Sequence, residues 1–395
     1  MADQPRYVRT SRQILLLLIA VVVLGLTGLG LVVSRYYRPM SAEENVLEGF
    51  TKEQVFAQTQ PSGPAWLRKA AERVDAPLPH RVHALDVREA APGDVDRLLQ
   101  TMSTVEKLQL RRAQLSEEMV ERIGDLPSLR KLTIGQDVGL PESGLTKLGS
   151  MPKLERLTLS GTSIDSDDLA AVAGSPNLHQ LGLSGSHVVQ AALPVIQRFK
   201  SLKTLNVFGR DFSDEDVVAL AQLKNLNSLN CNGASITGRG IGQFKSTSSL
   251  TSLDLIGTKV QDEHLSGLAR FTALTRINLE TTEVGDDTAR TLSRLPRLDY
   301  VAMSWTQITG EGVAALAMIP ELKTLWLHGN ELEAGALEPL RRCRKLEFLS
   351  LNPEDLTDEA LDVLARIKSL RHMYIHGGHD VDALRRALPN VMYFQ

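Results

Sequence analysis

Cysteine is nearly absent: two residues, Cys231 and Cys343, in a chain of 395. No disulfide framework and no cysteine-based zinc site can be built from them. In the repeat pattern described below they fall four strands apart, roughly 19 Å, so both are expected as small buried hydrophobes. Charge of one sign is also lacking. The formal net charge is −3 and the pI about 6.3, which gives no general pull toward nucleic acid, and none is expected as a partner. Catalytic signatures are missing too: the sequence holds no G-x-S-x-G, H-E-x-x-H, C-x-x-C or P-loop. The glycine-rich GRGIG (238–242) does not follow a strand that opens a nucleotide-binding unit. Acids such as Asp165, Asp167, Asp168, Asp286 and Asp287 occupy helix-start positions, where macrodipole complementation accounts for them. His376 and His379, across Gly377 and Gly378, are the only histidines spaced for shared ligation, and no metal or other cofactor is expected. These absences point away from an enzyme.

One long hydrophobic run is present. ILLLLIAVVVLGLTGLGLVV (14–33) is uncharged for twenty residues. As a helix it would span roughly 30 Å, the hydrocarbon thickness of a bilayer. It is too long for a signal-peptide core and lacks a following small-residue cleavage site, so it reads as an uncleaved transmembrane anchor. Arg6, Arg9 and Arg12 precede it; Arg35 and Arg38 follow and are soon offset by Glu43 and Glu44. The positive-inside rule then places a short tail, 1–13, in the cytoplasm and the remainder outside, periplasmic or extracellular. Residues 34–63 are polar and read as a linker, and 64–81, with Trp66, Ala70 and Val74 at helical spacing, as an N-terminal cap.

From residue 82 the chain repeats itself. LERLTLSGTSI (154–164), LTSLDLIGTKV (250–260), LTRINLETTEV (274–284) and LKTLWLHGNEL (322–332) share L-x-x-L-x-L-x-x-[TN]-x-[ILV]. Thirteen such starts run from Val82 to Leu370, at a constant 24 residues from Leu154 onward. Apolar residues at the fourth and sixth positions alternate as in a strand, and the second half of each repeat changes to helical spacing. Neither half can bury its apolar face alone, so the repeats must stack. This pattern resembles the leucine-rich-repeat family, in particular the 24-residue repeats of bacterial and ribonuclease-inhibitor-like proteins. The resemblance implies an α/β fold: a curved solenoid with a parallel sheet on the concave side and helices on the convex side. It would occupy 82–387, with 388–395 as a closing segment that begins one further strand. Threonine, serine or asparagine at the ninth position (Thr162, Ser186, Thr258, Thr282, Thr306, Asn330) is expected to bond loop backbone, with breaks at Arg210 and Ala234.

In such a fold the third, fifth and seventh positions face away from the core, on the surface where this family usually binds partners. The early repeats place a basic patch there: Arg88, Lys107, Arg111, Lys131 and Arg156. The late repeats place Tyr300, Trp326, His328, Phe348, His372, Tyr374 and His376, with Trp305 one position further on. Only 5% of the chain is aromatic, so this concentration stands out. Two readings are open. The rings are a displayed partner-binding site, with Ser350 and Asn352 forming a notch about 10 Å wide between them. Alternatively they stack on one another as a cross-strand ladder, or are covered by Tyr393 and Phe394 of the tail. The basic patch reads as a solvated face, or as a contact for an acidic partner or an anionic membrane surface. A membrane-tethered scaffold that binds a protein, or a glycan, is the leading expectation. A passive envelope spacer without a ligand is the alternative.

Overall fold

The computed structural model describes residues 33–73, 80–135, 137–161, 164–185, 189, 192–220, 223–243, 249–377 and 381–394. The tail expected in the cytoplasm, all of the expected anchor except Val33, and Thr162, Ser186 and His379 lie outside them. Among the described residues no helix is long and apolar enough to cross a membrane.

The chain divides into two compact units. The first comprises residues up to 163 with 174–177, and the second 164–173 with 178–395. The segment expected as a linker is folded. Helix α1 (Arg38–Leu47) and strand β1 (Val55–Pro61) precede α2 (Ala65–Arg73), and β1 pairs antiparallel with β2 (His80–Val87) from Val55↔Val87 to Pro61↔His80. Composition misled here because α1 is bound largely through one polar side chain. Glu43, 2% exposed, accepts hydrogen bonds at 2.7 Å from both Arg81 Nε and the Val82 amide. A buried carboxylate so paired is costly to unpair, and it fixes the helix on the first repeat. Tyr37 and Met40 supply the apolar contact.

Beyond β2 the first unit continues in parallel through β3 (Lys107–Leu110), β4 (Lys131–Ile134) and β5 (Arg156–Ser160). In the second unit β6 (Gln180–Ser184), β7 (Thr204–Phe208), β8 (Ser228–Asn230), β9 (Ser252–Asp254) and β10 (Arg276–Asn278) pair in chain order. They are followed, again in parallel and in order, by β11 (Tyr300–Ala302), β12 (Thr324–Trp326), β13 (Phe348–Leu351), β14 (His372–Ile375) and β15 (Met392–Phe394). The register advances by one repeat per strand, as Leu253, Ile277, Val301, Leu325, Leu349 and Met373 show. All six are completely buried. The strand-and-helix alternation of the leucine-rich-repeat solenoid is therefore present in each unit.

The ninth-position expectation holds where the structure describes it. Thr258, Thr282 and Thr306 each donate to the carbonyl three residues earlier, at 2.7, 2.6 and 2.8 Å. Asn330 spans two repeats, its Nδ2 donating to the Leu327 and Met303 carbonyls. The acids at helix starts do more than complement a dipole. Asp262 accepts from the amides of Gly285, Asp287 and Thr288 and from the Thr288 hydroxyl, all one repeat onward. Asp214 does the same for Thr237, Gly238 and Gly240. Each thus caps the helix of its successor and locks neighbouring repeats together. The same geometry explains GRGIG. A side chain on Gly240 would approach the Asp214 carbonyl oxygen to 2.4 Å, so the glycine permits close stacking and the anion it meets is Asp214 itself. Both cysteines are buried and unpaired, with burial pushing the Cys343 thiol up to about 11.

Candidate functional site

The third, fifth and seventh side chains of the late repeats come together on the sheet face opposite the helices, as counted from the sequence. Three rows cross the strands. Tyr300, Thr324, Phe348 and His372 are register partners, as are Ala302, Trp326, Ser350 and Tyr374. His328 and His376 continue the third row. Within and between these rows the rings pack on one another. Trp326 lies 4.5 Å from Phe348 and 5.7 Å from Tyr374 between ring centroids. His328 stacks on His376 at 5.1 Å with planes 18° apart. The face is therefore a connected ladder, and all of Trp326, Phe348, His372, Tyr374 and His376 keep partial exposure.

Two sequence expectations fail here. His328 is not displayed: it is 9% exposed, and its Nδ1 hydrogen bonds to the hydroxyls of Ser304 at 3.0 Å and Ser350 at 2.8 Å. Burial, reinforced by His376, lowers its pKa to about 4, so the ring is neutral at physiological pH. Nor is there a notch. Ser350 is fully buried, because Trp326 and Tyr374 flank a serine too small to separate them and close over it. Backbone strand β15 extends the sheet beside β14 through Tyr374↔Phe394; the side chains of Tyr393 and Phe394 lie outside the described set.

Trp305 is the displayed ring. It is 50% exposed and meets His376 edge-on at 5.3 Å and His328 at 6.3 Å. Its backbone adopts φ 55°, a left-handed conformation that a bulky side chain rarely tolerates and that costs on the order of 1 kcal/mol or more. The ring lies flat against Gly329, where an added Cβ would come within 2.3 Å of it. Glycine at 329 is thus required by the indole as well as by its own φ of 78°. Trp326 carries a second irregularity: its Nε1 is shielded from solvent and has no hydrogen-bond partner among the described residues.

Next to the rings is a charged cluster that sequence reading passed over. Asp254, Arg276 and Glu280 occupy fifth, third and seventh positions, so the same positional count would have found them. Arg276 lies over the Tyr300 ring at 3.5 Å. Burial raises the pKa of both Asp254 and Glu280, against opposing contacts that include Arg276. Asparagines nearby are committed to the backbone: Asn230, Asn232 and Asn278 each accept an amide hydrogen bond through Oδ1.

In the first unit, Lys107, Lys131 and Arg156 are direct cross-strand neighbours, a row of three like charges. Such a row is unfavourable on a strand face unless solvated, and Lys107 and Arg156 are exposed. Arg88 lies outside that row, whose β2 neighbour is Ala84, and is paired with Asp86 at 3.0 Å. Arg111 is exposed at the end of β3. Among the described residues no group of three or more metal-ligating side chains converges.

Comparison with known proteins agrees with this architecture. A family profile described as Leucine Rich repeat matches residues 298–317, the repeat that contains Tyr300 and Trp305. No curated protein sequence matches the chain. Among solved structures, an internalin (inlF) of Listeria monocytogenes aligns with a TM-score of 0.52 at 20% identity, covering 75% of this chain and 87% of that one. A leucine-rich-repeat protein of Leptospira interrogans aligns with a TM-score of 0.52 at 16% identity, covering 79% and 90%. At these identities the likeness is one of fold.

Proposed function

Since the chain is built of leucine-rich repeats, we propose that it is a non-enzymatic recognition scaffold. It holds a protein partner against the aromatic sheet face of its second unit and is tethered to a membrane by residues 14–33, with the repeats exported. Trp305 carries the reading. A half-exposed indole in a strained backbone, seated on a glycine and buttressed by His376, is an arrangement that stability alone does not favour. Rigid aromatic anchors of this kind dominate protein interfaces. A protein fits the face better than a glycan, because the adjoining asparagines spend their carbonyls on backbone amides. The charged Asp254, Arg276 and Glu280 supply a polar rim beside the apolar rings. One observation favours a purely structural role, that of a passive envelope spacer: the remaining rings satisfy one another as a ladder.

Photo-crosslinking separates the two. A benzophenone side chain placed at 305 in the native membrane should give a discrete protein adduct. The same group in place of Met318, which is 59% exposed after the helix Gly310–Leu316, should not. Equal yields from both positions, or none from either, would favour the spacer.

A further inference from the structure

The first unit brings the start of α2 against Tyr36, a juxtaposition that no single stretch of sequence displays. Tyr36, three residues beyond the uncharged run, packs its ring over Gly63, where an added Cβ would lie 3.4 Å from Cδ1. Gly63, at φ 89°, turns the chain into α2, whose first turn is closed by the Leu67 amide donating to the Pro64 carbonyl at 3.0 Å. The fold thus returns α2 to the point where the hydrophobic run ends. On α2, Leu67 and Ala71 are buried against the domain, while Trp66 is 60% exposed. Lys69, three residues on and therefore on the same side as Trp66, is exposed too. A bare indole with a lysine beside it is poorly explained by solvent, and none of the described residues of the first unit covers it.

We infer that Trp66 and Lys69 lie on the bilayer surface, Trp66 at headgroup depth and Lys69 against anionic lipid; this rests on the membrane tether proposed above. The run ending at residue 33 fixes how far this edge stands from the hydrocarbon. Tyr36 is one turn from it, and the Glu43–Arg81 pair leaves α1 little freedom to swing away. Tryptophan and tyrosine favour that depth, since one part of the ring is apolar and the other hydrogen bonds with headgroups. Lysine near an anionic leaflet is attracted by its surface potential. The repeats of the first unit would then be held in one orientation by two contacts, the anchor and the α2 edge.

The test uses the full chain reconstituted into phosphatidylcholine–phosphatidylglycerol vesicles whose lipids are brominated near the headgroups. Flotation with the vesicles after an alkaline carbonate wash reports the anchor independently. Bromine should quench roughly a third of the tryptophan emission, one ring of the three in the chain, and Trp66→Phe should abolish that component. Lys69→Glu should reduce it at least twofold, with a smaller effect in vesicles of phosphatidylcholine alone. A chain that floats but shows equal quenching in wild type and Trp66→Phe overturns the inference and leaves the anchor standing. A chain that does not float removes both.

Discussion

The imidazoles of His328 and His376 lie face to face, 5.1 Å apart and within 18° of parallel. Two cations cannot share that geometry without repulsion, and the inner ring is the one kept neutral. The His328 Nδ1 faces two serine hydroxyls, and burial followed by the field of His376 holds its pKa at about 4. An unfolded histidine takes up its proton near pH 6.5, the folded one only near 4. The stability that this difference represents is present in full above about pH 6.5. It falls as the pH drops toward 4 and is constant below. The loss should be roughly 1–3 kcal/mol, read as the urea midpoint of the second unit against pH. His328→Asn should flatten the slope in that window. An unchanged slope would remove His328 as its source.

Trp305 lends itself to a substitution that separates stability from binding. Trp305→Gly releases the left-handed strain at φ 55° and removes an exposed ring. Stability should stay within about 0.5 kcal/mol of wild type or rise slightly, while partner capture is lost. Gly329→Ala should do the opposite to stability, costing about 1–3 kcal/mol, because its methyl group collides with the indole. If Trp305→Gly melts much earlier than wild type, the ring is structural.

Among the described residues, the Trp326 Nε1 donor has no acceptor in reach. Leaving a buried donor unpaired costs about 1–3 kcal/mol, so replacing the indole by a ring without one is cheap despite the lost volume. Trp326→Phe should keep the stacking with Phe348 and change thermal stability little, within about 1 kcal/mol. Trp326→Ala should cost about 2–4 kcal/mol. Equal losses in both would show that the indole nitrogen has a partner.

Much of this was legible from spacing alone. A constant period of 24 places every leucine inward and every Tyr300, Trp326 or Tyr374 outward, because one register slip would reverse all of them together. Depth was not legible. His328 and His376 occupy equivalent positions, yet one is buried and the other is not. What differs is the flanking serines, small enough at Ser304 and Ser350 to admit an imidazole between them. The α1 segment escaped for a related reason: a helix held by Glu43 has the composition of a linker. Asp254, Arg276 and Glu280 are readable from the same positional count, but three residues of mixed charge stand out less in composition than the aromatic and basic extremes of the face.

The repeat-to-repeat caps should be separable from packing. Burial opposes ionisation of Asp214, but hydrogen bonds from the Gly240, Thr237 and Gly238 amides and the Thr237 hydroxyl together outweigh it and lower its pKa. Its contribution is therefore present above about pH 4, where the unfolded carboxylate is ionised, and is lost only as the pH falls through the lower, folded value. At neutral pH, Asp214→Ala removes the acceptor of three amides at once and should cost about 2–4 kcal/mol. Thr237→Val removes only the hydroxyl bond and should cost about 1 kcal/mol. Hydrogen exchange then gives the sharper reading. In a stacked array each repeat leans on its neighbours, so Asp214→Ala should speed exchange in residues 226–243 far more than in residues 298–317. Uniform acceleration along the second unit would mean that the cap acts on global unfolding and not on the joint between two repeats.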